Sequence, residues 1–150
     1  MRLNILSIVL TLAGLSAAAP SLSFEIERQE SFTSNSIEPE ILRIISTADI
    51  ELFAPLITGF QASNPKVTVN YHEVSSTELM RALQDEKAPY DIAVSSAMDL
   101  QTKLANDGLA LAHSSVATTL LPGWGKWHDY VFAFTQEPAT IVISTKDFGD

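Results

Sequence analysis

From Leu42 to Leu104 the apolar positions switch repeatedly between two spacings, and the switching predicts three strand–helix units in succession. Leu42 to Ile45 is a short apolar run of strand type. Phe53, Leu56, Ile57 and Phe60 then fall at the spacing of one helical face, closed by Asn64-Pro65. Pro55 suits only a first turn, so this helix is expected to begin near Leu52 or to kink at the proline. Val67-Thr68-Val69-Asn70-Tyr71 alternates like a second strand. Ser75-Ser76-Thr77-Glu78 follows as a capping box and opens a helix with Leu79 and Leu83 inward. Pro89 precedes a third strand, Asp91 to Val94. Ser96 with Asp99 marks a further helix start, Leu100 and Leu104 give that helix its buried side, and Gly108 stops it.

This order predicts an α/β fold with an open, mainly parallel sheet and helices on both faces. Beyond it the chain reads as loop around Pro122-Gly123-Trp124-Gly125, then as two strands, Tyr130 to Phe134 and Thr140 to Ser144. Residues 20–39 show no sustained period: Phe24, Ile26, Phe32 and Ile37 are isolated among Ser and Glu. The stretch reads as a flexible lead-in or a loosely docked strap before a folded region, 40–150.

Two of the predicted strands end alike. Ile44-Ile45 runs into Ser46-Thr47-Ala48-Asp49, and Ala93-Val94 into Ser95-Ser96-Ala97-Met98-Asp99. Where parallel strands hand over to helices, free backbone N–H groups and the positive ends of helix dipoles converge, which suits a small anionic or polar ligand. Ser46, Thr47, Asp49, Ser95 and Ser96 are therefore the candidate ligand-binding residues, and the same residue types also serve as ordinary helix caps. Trp124 and Trp127 either wall a pocket or anchor their loop. His72, His113 and His128 share no metal-ligand spacing, and Arg81 and Lys126 read as solvated cations.

Arg2, the apolar run Leu3–Leu15 and Ser16-Ala17-Ala18-Ala19 have the layout of a secretory signal peptide over residues 1–19. The run falls short of the roughly 20 apolar residues that span a bilayer. Its removal leaves 8 basic against 18 acidic residues and takes the formal charge from −9 to −10. Scattered Lys and Arg in so acidic a chain argue against nucleic acid as a partner. The lack of cysteine removes disulfides, thiolate metal sites and cysteine nucleophiles together. No GxSxG elbow, HExxH motif or phosphate-cradling glycine loop occurs, so the chain is not expected to be an enzyme or to carry a cofactor.

The run from Ile44 to His113 resembles the first lobe of periplasmic solute-binding proteins that serve ABC importers, in particular the group binding ferric iron and small anions. The matching stretches are Ile45-Ser46-Thr47-Ala48-Asp49, Ala54-Pro55-Leu56-Ile57-Thr58-Gly59-Phe60, Tyr90-Asp91-Ile92-Ala93-Val94-Ser95-Ser96 and Leu104-Ala105-Asn106-Asp107-Gly108-Leu109, with Gly125-Lys126-Trp127 further on. The resemblance implies a two-lobe fold of which residues 40–150 would be the incomplete first lobe. It implies a small-molecule or ion ligand held between the lobes, delivery to an ABC permease, a periplasmic location and a monomer when full length. Asp49 stands where ferric-iron binders often place a histidine, which favours an organic anion over iron. The alternative is a periplasmic ligand-sensing module that partners a signalling protein.

Overall fold

Successive residues of a strand point to opposite faces of its sheet, and in β2 (Glu40–Ser46) the two faces carry separate cores. The computed structural model describes residues 23–136 together with 141, 143, 144 and 146. Ile44 joins Val69 and Tyr71 of β3 (Val67–Glu73) under α1 (Ile50–Ser63), which buries Ile50 and Ile57 against them. Ile45 faces the other way, with Val74, Leu79, Ala82 and Leu104. Val74 follows β3 directly, and the other three come from α2 (Ser76–Met80), its wider continuation Arg81–Asp85, and α3 (Met98–Asn106). Tyr71, Ile45, Leu79 and Val69 are each under 2% exposed, and burial of side chains this large stabilises by about 1.5–3 kcal/mol apiece.

The main sheet runs β1-β3-β2-β4, with β4 spanning Ile92–Val94 and both β3 and β4 parallel to β2. The predicted α/β fold with a mainly parallel sheet and a helix layer on each face is therefore the one observed. The first strand, β1 (Arg28–Phe32), lies within the stretch expected to be a flexible lead-in, and it pairs antiparallel with β3 along its whole length. Its residues are too polar to announce a strand. As an edge it needs apolar contact on little more than Phe32, which packs on the α1 side, and the ladder to β3 supplies the rest.

Helix α1 starts at Ile50, ahead of the expected Leu52, and carries Pro55 inside it. Ser75 caps α2 as expected, its hydroxyl accepting the N–H of Glu78 at 3.3 Å, but the expected box is not closed, because the Glu78 carboxylate accepts Glu25 N–H at 2.9 Å instead. Ser96 does not cap α3. The cap position falls to Ala97, whose N–H is accepted by the Ser95 hydroxyl at 3.1 Å. Gly108 ends α3 as expected: at φ 78° it lets Leu109 N–H reach Leu104 carbonyl at 3.0 Å and its own N–H reach Ala105 carbonyl at 3.1 Å, a Schellman closure.

A short helix, α4 (Val116–Thr119), precedes a small antiparallel pair, β5 (Lys126–Trp127) and β6 (Val131–Phe132). The strand expected at Tyr130 to Phe134 is thus shortened to two residues, because the left-handed turn at His128 and Asp129 delays its pairing. Of the strand expected at Thr140 to Ser144, Thr140 and Val142 lie outside the described residues, and Ile141, Ile143 and Ser144 adopt no regular structure.

Among the described residues β4 pairs on one side only, leaving the other row of its backbone groups unpaired. Open edges recruit further strands. The 150-residue chain is expected to self-associate at micromolar concentration, and sedimentation velocity over a concentration series checks it: a single monomeric species at all concentrations contradicts the expectation.

Candidate functional site

β2 passes into α1 on one face of the sheet and β4 into α3 on the other, while the two strands lie side by side. Loops 47–49 and 95–97 therefore leave adjacent strand ends at the carboxyl edge of the sheet and lead to helices on opposite faces. Ligands of open α/β sheets bind at such a switch point. The two hydroxyl loops meet there directly: Thr47 Oγ1 donates to Ser95 Oγ at 3.2 Å, and Thr47 N–H donates to Val94 carbonyl at 3.0 Å.

The backbone of the first loop is pinned from beneath. Ser46 is fully buried, and its Oγ accepts Ala48 N–H at 3.0 Å. Tyr71, also fully buried, donates its hydroxyl to Ala48 carbonyl at 2.8 Å, and Phe53 stacks against the phenol with ring centroids 5.5 Å apart. Burial raises the Tyr71 pKa, so the phenol remains a donor. Glu73, at the end of β3, accepts the buried N–H of Ile50 at 3.0 Å. That bond satisfies one of the orphan donors of α1, a task the N-cap residue Asp49 leaves undone.

The second loop is tied to the first through Ser95. Ser95 Oγ accepts from both Thr47 Oγ1 and Ala97 N–H. A hydroxyl has two acceptor lone pairs and one proton, so with both lone pairs engaged the proton has no partner among the described residues. Gln101, one turn into α3, holds the loop by donating to Ser95 carbonyl at 2.8 Å. Ser96 and Asp49 are exposed, Thr47 and Ser95 are half-buried, and Ser46 is buried beneath the first loop. Four of the five residues singled out in the sequence are thus at the surface of one place. Glu73, Tyr71, Gln101 and Arg28 complete it and were not singled out.

The charge around the first loop is acidic. Asp49, Glu51 in the first turn of α1 and Glu73 gather at that helix end, with Asp99 in the first turn of α3 and no Lys or Arg in either loop. The cation that answers them comes from β1. Arg28 forks onto Glu51 through Nη1 at 2.8 Å and Nη2 at 2.6 Å, and Nη1 lies 3.8 Å from Glu73. The guanidinium hydrogen bonds push the Glu51 carboxyl down to about 2 and the same pair raises the Arg28 pKa. With the folded value depressed, the contribution of Glu51 is fully present above its ordinary value of 4.5 and is lost as the pH falls through about 2. A carboxyl NMR titration is expected to place Glu51 near 2 in the parent and higher in Arg28→Gln, where the backbone hydrogen bond at the helix start remains to lower it; an unchanged midpoint contradicts it.

Among the described residues no group of three His, Cys, Asp or Glu is placed to hold a metal ion. A separate open hollow of about 570 Å³ lies at the far end of α3, lined by Asn106, Trp127, His128 and Tyr130 among others, and takes no residue from either loop.

A mainly parallel sheet with a helix layer on each face and two hydroxyl loops meeting at such a switch point has the architecture of a solute-binding lobe. The chain matches the family model described as "Bacterial extracellular solute-binding protein" over residues 46–148, and it belongs to that family. The family and its fold bind solutes and are not enzymes, and the family's place is outside the cytoplasm. Its structure is similar to the substrate-binding protein of an ABC transporter from Agrobacterium tumefaciens, with a TM-score of 0.63 and 32% identity over 68% of this chain. The chain spans about a third of the length of that relative, 32%. No curated protein matches it.

Proposed function

We propose that the chain is the first lobe of an extracytoplasmic substrate-binding component of an ABC transporter, exported by the leader at 1–19 and working in the periplasm with a second lobe and a permease. The observation that carries this reading is the meeting of the two hydroxyl loops through Thr47 and Ser95, 3.2 Å apart, at the switch point of the sheet. In this reading Thr47, Asp49, Ser95 and Ser96 touch the solute and Ser46 shapes the loop from below. Hinge closure of the second lobe then removes the solute from water, and the closed form is what the permease reads.

The solute is small and polar, and its best-supported place is the second loop. The amino end of α1 already holds the Glu73 carboxylate, which opposes a second anion there. The start of α3 offers the Ser95 proton with no buried acid against it, so an anionic group would sit on that side. Asp49 adds an exposed oxygen suited to a ligand hydroxyl or a hard cation.

A thermal-shift screen of a form carrying the second lobe, against polyols, organic and phosphorylated acids and ferric iron, tests the reading. A saturable rise in melting temperature with one of these classes is expected. No shift with any of them, in a protein shown to be folded, overturns it.

A further inference from the structure

Three residues form a row across the carboxyl edge of the sheet. Ser46 is opposite Glu73 in the parallel register of β2 and β3, and Glu73 is opposite Arg28 in the antiparallel register of β3 and β1. Residues opposite one another share a face, and this face is the one on which α1 packs. The row ends on the helix: Glu73 Oε2 accepts Ile50 N–H, and Arg28 forks onto Glu51 one residue further along. Two backbone bonds lock the row's ends, Glu27 N–H to Glu73 carbonyl and Val74 N–H to Ser46 carbonyl, both 2.9 Å.

We infer that Arg28 is a positioning residue for the first ligand loop, so that the amino-terminal strand β1 is a working part of the binding site. The matched family region begins at residue 46, after β1 and nearly all of β2, so nothing in that match assigns the strand a role. The loop Thr47–Asp49 is fixed at its near end by Ser46 and Tyr71 and at its far end by Ile50, and the far end is held through Glu73 and Glu51. Both acids face the Arg28 guanidinium, which reaches them from a strand that contributes no residue to the loop. A planar fork with two parallel bonds fixes direction as well as distance, which a lysine cannot reproduce.

Coupling of this kind is reciprocal: a strand that orders the loop is itself held down by whatever the loop binds. Docking of β1 and occupancy of the ligand loop therefore rise and fall together. The inference rests on the reading of Thr47–Asp49 as a ligand loop, and local hydrogen exchange tests it without any solute.

Amide exchange followed by NMR in the parent, Arg28→Lys and Glu51→Gln provides the test. Each variant breaks the fork from one side while leaving the β1–β3 ladder in place. Exchange at Ala48 and Ile50 is expected to quicken about tenfold in both, with Ile45 and Leu104 unchanged. Equal quickening at all four amides, or none at Ile50, overturns the inference, because then Arg28 serves only general stability or nothing. A local effect at Ile50 combined with full solute affinity in Ser95→Ala/Ser96→Ala keeps the inference about the first loop and overturns the reading of the second loop alone.

Discussion

Replacing Ile45 by alanine is expected to destabilise the lobe by about 3 kcal/mol and to lower its melting temperature by roughly 10 °C. Ile45 is fully buried near the end of β2, in register with His72 of β3 and Ala93 of β4, and it closes the core shared with Val74, Leu79, Ala82 and Leu104. Truncation removes three carbons from a place where β2, flanked on both sides, cannot move inward to fill the void. Ile41 provides the comparison within the same strand. At 40% exposure its side chain is only partly withdrawn from water, and Ile41→Ala is expected to cost about 0.5 kcal/mol or less. Urea unfolding of the two variants beside the parent, with the slope unchanged, measures the difference. Equal losses at the two positions would show that the core is not organised around β2.

The reason Ile45 stood out in the sequence also explains what did not. Strands β2, β3 and β4 and helix α1 owe their existence to apolar burial, and burial leaves a period in the residues. β1 is held by backbone pairing to β3 and by charge, through Arg28, and neither leaves a period. Glu73 was legible in principle. It continues the alternation Val69, Tyr71, Glu73 on the face against α1, and a carboxylate on a buried face must find a donor. Tyr71 belongs to the same series, its phenol needing the Ala48 carbonyl that it meets.

The two serines of the second loop looked equivalent as neighbours in sequence, and only the turn of the backbone after Val94 separates them. Ser95 faces inward to bond with Thr47 and Ala97, whereas Ser96 is left exposed with its carbonyl accepting Met98 N–H at 2.9 Å. Pairing of distant loops, such as Thr47 with Ser95, depends on β4 lying next to β2. That strand order follows from the crossover through α2, which no local pattern encodes.

That separation gives the serines distinguishable expected effects on binding. Replacing both by alanine in a form carrying the second lobe removes two hydroxyl donors from a contact that closure desolvates. At about 0.5–1.5 kcal/mol for each neutral hydrogen bond, affinity for the solute identified by thermal shift is expected to fall on the order of tenfold. The single variants divide this loss differently from the stability cost. Ser95→Ala also strips Thr47 Oγ1 and Ala97 N–H of their acceptor, so it lowers stability by about 1 kcal/mol in addition to weakening binding. Ser96→Ala breaks no side-chain bond within the described residues, and its melting temperature is expected to stay within a degree or so while affinity drops severalfold. Calorimetric titration beside melting curves for the three variants resolves the two quantities. If Ser95→Ala melts lower yet every variant binds with undiminished affinity, the second loop is a helix start and nothing more, and the solute must be held elsewhere.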